Sequence, residues 1–154
     1  MSESVVGRFV HDFRFQHPFC SLISGTTGVG KSTFVKNLIE KDMIKNTVNE
    51  IYYFMPSMEN ININVLKHQK LFLMEGLPTK RWILKNWTPK TSKRNVLFII
   101  DDQWDDVLKD QTCKRLCTWG RNHLGFSTIF ITQYYFEQAK TAQLLKLILF
   151  IKHF

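Results

Sequence analysis

The apolar positions of this chain gather into short unbroken runs, with helical spacing between them. Phe19, Cys20, Leu22 and Ile23 lead into a glycine-rich turn, the pattern of a strand ending at that turn. Across residues 31 to about 41, Phe34, Val35, Leu38 and Ile39 recur on one face, which predicts an amphipathic helix. Residues 50–55 (EIYYFM) are rich in β-formers and stop at Pro56, so a second strand ends in a turn. Residues 95–102 read NVLFIIDD, and five consecutive apolar residues without alternation predict a strand covered on both faces. Helical spacing returns over 106–119 through Val107, Leu108 and Leu116. Residues 127–132 (STIFIT) read as another buried strand, and Gln133 is the first polar residue beyond its apolar run. The last stretch, 141–154, reads as a short helix feeding a strand over 147–151.

This alternation predicts an α/β fold with a largely parallel sheet. At 154 residues and 44% hydrophobic, the chain is expected to form a single domain, 1–154, with a sizeable core. Residues 1–17 are mixed, and 8–15 read as an edge strand or arm. Residues 57–95 have the weakest pattern: Asn-rich turns at 60–64, a short helix, an apolar run at 71–74, then 79–87. Lys67, Lys70, Lys80, Arg81, Lys85, Lys90, Lys93 and Arg94 crowd that region, with Trp82 and Trp87 among them. Two readings stand side by side. Such residues hold a nucleic-acid backbone and stack on bases, or the tryptophans pack inward beneath a solvated basic face.

Charged residues make up 22%, which excludes a disordered or coiled-coil chain. The formal net charge of +8 favours polyanionic partners, nucleotide or nucleic acid. Three cysteines (Cys20, Cys113, Cys117) do not make a disulfide framework and point to a reducing, intracellular setting. Cys113 and Cys117 stand four apart near His123; with no second ligand pair, core packing is preferred to a metal site. The start MSESVVGRFVHDF lacks the features of a secretory signal, and the apolar stretch 144–151 is interrupted by Lys146 and too short to span a bilayer. The expectation is a soluble protein with no membrane partner.

Chemistry concentrates in 18–33, PFCSLISGTTGVGKST, where Gly25, Gly30, Lys31 and Ser32 match the phosphate-loop spacing. A triphosphate must be wrapped by backbone N–H groups, which demands residues that tolerate unusual dihedrals and close approach. The helix after the loop aims its unpaired N–H groups and partial positive charge at the same anion. The whole stretch Gly25, Thr26, Thr27, Gly28, Val29, Gly30, Lys31, Ser32 and Thr33 is therefore expected to bind nucleotide. Lys31 would reach the β- and γ-phosphates, and the Ser32 hydroxyl would ligate Mg²⁺.

Hydrolysis needs a second half. Asp101, at the end of an apolar strand, is the expected partner of Ser32 on Mg²⁺, and Asp102 is placed to polarise the attacking water. Asp105 and Asp106 compete to cap the next helix, which leaves Asp101 and Asp102 free for chemistry. Gln133 suits a water-orienting or γ-phosphate-sensing role, or else is a solvated strand end. Arg121, beside a turn at Gly120, is a candidate arginine finger reaching a neighbouring subunit, or else a surface arginine.

With these pieces in order, the sequence resembles the poxvirus-type genome-packaging ATPases of the FtsK–HerA superfamily, found in large DNA viruses and polinton-like elements. The likeness is carried by GTTGVGKST at 25–33, VLFIIDD at 96–102 and WGRNHLGFSTIFITQYYF at 119–136, the last being the most specific. The resemblance implies an ASCE-type P-loop core, with 127–132 inserted between the phosphate-loop strand and the aspartate strand. It implies ATP and Mg²⁺ as cofactors, Gln133 as sensor and Arg121 as a trans-acting finger. As partners it implies a homo-oligomeric ring, double-stranded DNA and capsid components, at a virus assembly site in the host cell. Departures exist: Asn122 separates Arg121 from His123, and Gln143, Leu144 and Lys146 stand where relatives place arginine and asparagine. The chain also stops at Phe154 where relatives continue, the pattern of a truncated copy.

Three functions compete on these residues: a DNA-translocating ATPase, a nucleotide-binding remnant without turnover, and a small-molecule or nucleotide kinase. No Asn-Lys-x-Asp guanine-reading motif and no Leu-Ser-Gly-Gly signature occurs, which disfavours a GTPase and an ABC-type ATPase.

Overall fold

The computed structural model describes residues 14–45, 48–59, 70–87 and 95–133, and the backbone of 149–152. Strands β2 (Cys20–Ser24), β4 (Glu50–Met55), β5 (Leu71–Glu75), β6 (Val96–Asp101), β7 (Phe126–Thr132) and β8 (Leu149–Lys152) form one sheet. Its order is β5-β4-β6-β7-β2-β8, and every pairing is parallel. A separate two-stranded pair joins β1 (Phe15–Gln16) to β3 (Ile44–Lys45). β7 thus lies between β2 and β6, as the resemblance implied. The expected arm over 8–15 falls largely outside the described residues, as do the turns at 60–64 and the helix that was to precede β8.

Parallel strands need covered faces, and the apolar runs supply them. Val96 to Ile100 of β6 are at most 1% exposed. Alternate residues send their side chains to opposite sides. On one side Ile23, Ile51, Tyr53, Leu97, Ile99, Ile129 and Ile131 pack beneath helix α1 (Lys31–Glu40), which contributes Val35 and Leu38. On the other, Leu22, Phe54, Phe98, Phe126 and Phe130 pack beneath α2 (Lys80–Asn86), α3 (Trp104–Lys109), α4 (Gln111–Arg115) and a π-helical segment, Leu116–Leu124. Complete burial of a side chain of this size stabilises by about 1.5–3 kcal/mol.

Four expectations need correction. The helix expected over 106–119 is broken at Asp110, whose Oδ1 accepts from Thr112 N–H (2.5 Å) and Cys113 N–H (2.9 Å) and starts α4 afresh. Asp105 and Asp106 do not form the N-cap, which is Gln103; they lie in the first turn of α3, where negative charge is stabilised by the positive end of the helix dipole. The cysteines do pair: Cys20 and Cys117 form a disulfide, Cα–Cα 5.5 Å, joining β2 to the π-helical segment. Cys113 is free and buried in the same core, where desolvation pushes its thiol up to about 12. The turn expected at Gly120 is instead helical, and a Cβ there would come within 3.2 Å of the Phe126 ring.

Both tryptophans of the basic–aromatic region pack inward. Trp87 is 2% exposed, and Trp82 packs partly buried against the same cluster. Lys80, Arg81 and Lys85 are exposed on α2; Lys67, Lys90, Lys93 and Arg94 lie outside the described residues. Among the described residues, no helix is long and apolar enough to cross a membrane.

Candidate functional site

The C-terminal edge of a parallel sheet is where loops leave the strands and ligands bind. Here the ends of β2, β7 and β6 are level, since Ser24 pairs with Thr132 and Asp101 with Ile131. Two hydrogen bonds fasten the segments leaving β2 and β6 to β7. Gly25 N–H donates to Thr132 O (3.2 Å), and Asp102 N–H donates to Ile131 O (3.0 Å). The glycine loop and the carboxylates therefore hang from the same strand end. Between them opens a cleft of about 400 Å³ lined by Thr27, Gly28, Gly30, Lys31, Ser32, Thr33, Asp101, Asp102, Ile131, Thr132 and Gln133.

The loop has the backbone its spelling requires. Gly30 precedes α1 with φ 90°, in the left-handed region that costs a side chain, and its C=O accepts from Phe34 N–H (2.8 Å). Gly25 has an ordinary φ but no room: a Cβ would lie 2.8 Å from Val29 Cγ2. Lys31 Nζ donates to Gly25 O (2.6 Å) and Thr26 O (2.9 Å), so the ammonium is held by the loop's own carbonyls. A cation so placed suits an anion, because phosphate oxygens replace two neutral acceptors with charged ones.

Asp101 and Asp102 would face opposite sides of a regular strand. The chain avoids this at Asp102, whose φ of 53° turns it out of β6 so that both residues line the cleft. Burial raises the Asp101 carboxyl above its usual range; the Tyr53 hydrogen bond pulls it down, neighbouring Asp102 pushes it up, and Lys31 pulls it down. Gln133 Nε2 donates to Asp102 Oδ2 (3.3 Å), joining the amide to the exposed carboxylate.

Tyr53 escaped the sequence analysis. Its hydroxyl donates to Asp101 Oδ2 and lies within interaction range of Ser32. Burial first, then the Asp101 charge, push its phenol far above its ordinary value. The signal was available: a tyrosine buried in a strand must find a partner for its hydroxyl.

Arg121 does not line this cleft. It belongs to the π-helical segment leading into β7 at the opposite end of the sheet, where its Nε donates weakly to Asn122 Oδ1 (3.4 Å). His123 is exposed beside Trp119 (ring centroids 5.8 Å), and no metal-holding group of His, Cys, Asp and Glu occurs among the described residues.

Strand order, glycine loop and paired carboxylates at the C-terminal edge define an ASCE-type P-loop fold. Residues 6–144 match the family model described as Poxvirus A32 protein, and the chain belongs to that family. Over 60 residues it is 32% identical to Packaging protein 1 of Human adenovirus C serotype 5, a match covering 39% of this chain and 13% of that protein. The cytoplasmic domain of EssC superimposes with a TM-score of 0.51 at 17% identity, covering 88% of this chain and 31% of that one. Thermomonospora curvata EccC (ATPases 2 and 3) gives 0.49 at 12% identity, over 83% of this chain and 28% of that one. The chain thus spans a minor part of each of these proteins.

Proposed function

We propose that this chain is the ATP-hydrolysing core of a motor that moves double-stranded DNA into a capsid. One observation carries the catalytic half: Lys31, Ser32, Asp101, Asp102 and Gln133 line one cleft at the ends of β2, β6 and β7. The donor set fits Mg²⁺–ATP, with an ammonium for phosphate, a hydroxyl and a carboxylate for a hard cation, and glycine backbone for the anion. When bound, the nucleotide supplies the transferable γ-phosphoryl group, and Mg²⁺ neutralises charge on its oxygens.

Lys31 leaves the loop carbonyls for the β- and γ-phosphates. Ser32 and Asp101 hold the cation. Asp102 takes the proton of the attacking water, and Gln133, already bonded to Asp102, registers whether the γ-phosphate is present. Arg121 is assigned to a neighbouring subunit's cleft. Seven residues of β7 separate its segment from Gln133, about 20 Å at the usual rise per residue, which an arginine side chain does not bridge within one subunit.

The DNA half of the reading draws on family membership, on the name of the adenovirus relative, and on the net charge of +8 with exposed Lys80, Arg81 and Lys85. Ring assembly, capsid partners and action at a virus assembly site belong to the same proposal. The test is steady-state ATP hydrolysis with and without double-stranded DNA. Stimulation should weaken as salt rises, because phosphate contacts release counterions. Lys31→Ala and Asp102→Asn should both abolish turnover, with Asp102→Asn still binding nucleotide. Binding without turnover in the unaltered chain would refute the motor; transfer to a nucleoside or nucleotide in preference to water would establish a kinase.

A further inference from the structure

Resting on the nucleotide-site reading above, a further role emerges for a residue outside the phosphate loop and the aspartate pair. Tyr53 sits within β4, and neither motif includes it. Register explains its reach. Tyr53 pairs with Ile99 of β6, so Asp101, two residues further on, projects from the same face of the sheet, beneath α1. The ring is 8% exposed and packed with Ile51, Leu97 and Ile99, while Ser32 arrives from above on the first turn of α1. The hydroxyl donates to Asp101 Oδ2 and lies within interaction range of the Ser32 side chain.

We propose that Tyr53 is a positioning residue for the divalent cation, holding the Ser32 hydroxyl and the Asp101 carboxylate in ligating orientation before nucleotide arrives. A hydroxyl that ligates a cation offers an oxygen lone pair and must send its proton elsewhere. With Tyr53 O–H committed to Asp101, the phenol oxygen serves Ser32 as acceptor, and the serine lone pairs turn to the cleft. The same tyrosine pins Asp101 through Oδ2 and leaves Oδ1 for the metal. Ser32 is exposed and rotates among staggered positions unless tethered. The phenol is the opposite, a rigid ring fixed by burial. Orienting partners behind metal ligands typically change metal affinity by about 10- to 100-fold when removed; water can replace a tether on the exposed serine, so the lower end applies.

The experiment is a titration of Mg²⁺ into protein carrying a fluorescent ADP analogue, comparing the unaltered chain, Tyr53→Phe and Tyr52→Phe. Tyr53→Phe keeps the buried ring and removes only the hydroxyl. The expected result is a rise of about tenfold in the Mg²⁺ concentration that gives half the affinity gain, with affinity in EDTA within about twofold of the unaltered chain. ATP turnover lost at limiting Mg²⁺ should return as Mg²⁺ is raised. Tyr52 lies on the opposite face, among Phe72, Trp82 and Phe98, and its substitution should leave the Mg²⁺ titration unchanged. Equal Mg²⁺ requirements for Tyr53→Phe and the unaltered chain, or equal shifts in both variants, would overturn the proposal. No Mg²⁺-dependent gain in the unaltered chain would instead overturn the nucleotide-site reading.

Discussion

Replacing Trp87 by leucine separates a core role from a nucleic-acid role. The indole meets four rings edge-on: Tyr52 at 5.2 Å, Trp82 at 5.0 Å, Phe98 at 5.7 Å and Phe126 at 5.4 Å between centroids. Its Nε1 is buried without a hydrogen-bond partner among the described residues. Leucine leaves a void of ~60 Å³, which at about 24 cal/mol per Å³ costs about 1.5 kcal/mol. Loss of edge-to-face contacts adds about 0.5–1.5 kcal/mol for each pair that does not re-form. Removing the unpaired N–H returns about 1–3 kcal/mol. The net expectation is a loss of roughly 1–3 kcal/mol, read as a lower urea midpoint by far-UV circular dichroism.

A base-stacking tryptophan behaves otherwise. Stacking is worth about 1–3 kcal/mol per base, so removing it weakens single-stranded DNA binding about 5- to 150-fold. Fluorescence anisotropy with labelled single- and double-stranded DNA, at a temperature where both proteins are folded, should show affinities within about twofold of one another. A loss beyond fivefold with an unmoved urea midpoint would refute the packing account and return Trp87 to the DNA surface.

Gly30→Ala places a side chain at φ 90° with nothing within 4 Å of its Cβ, so its cost is purely backbone, about 1–2 kcal/mol by denaturant unfolding, together with weaker nucleotide binding. His17 pairs through Nδ1 with buried Ser127 Oγ (2.6 Å), and burial lowers its pKa below 6.5. The unfolded chain therefore binds the proton first; stability is fully present above about pH 6.5 and declines as pH falls toward the folded-state value, and melting temperatures across that range should fall less in His17→Gln. Ser127→Ala also removes the acceptor for Phe19 N–H (3.1 Å) and should cost about 1–3 kcal/mol in unfolding experiments. Mixing Arg121→Ala with Lys31→Ala subunits, each inactive alone, should restore part of the DNA-stimulated turnover; no recovery in demonstrably mixed assemblies would remove Arg121 from the trans role.

The parts of the site legible in the sequence were those fixed by local spacing. Lys31 and Ser32 come directly after Gly30 on the first turn of α1, and no tertiary fact is needed to place them beside an anion. Asp101 and Asp102 were legible because an apolar strand must end where polarity begins. Asp110 was not: its carboxylate breaks a continuous helical period, and periodicity cannot see a side chain that caps a new helix mid-run. Cys20 and Cys117 stand 97 residues apart, and only the packing of β2 under the π-helical segment brings them together. Tyr53 was hidden for a similar reason. Its partner is set by the β4–β6 register, which exists only after the sheet has formed.

β7 shows most clearly what spacing omits. As sequence it is a buried apolar run ending in Gln133; its place between the phosphate-loop and aspartate strands came from the family resemblance, and its hydrogen bonds to both could not be read from spacing. In the fold its last carbonyls receive the N–H groups of Gly25, which opens the phosphate loop, and of Asp102, the second of the paired carboxylates. At its other end Thr128 N–H donates to Phe19 O (2.9 Å), fixing where β2 begins. Loop and carboxylates therefore share one support, and a shift of the β7 terminus moves both together. Gln133, the next residue and already bonded to Asp102, is where a bound γ-phosphate would act on that support. The segment carrying Arg121 enters the same strand from its opposite end, seven residues of β7 away from Gln133. If Arg121 serves a neighbouring subunit as proposed, β7 is the stretch of backbone that joins that contact to Gln133 in this subunit's own cleft.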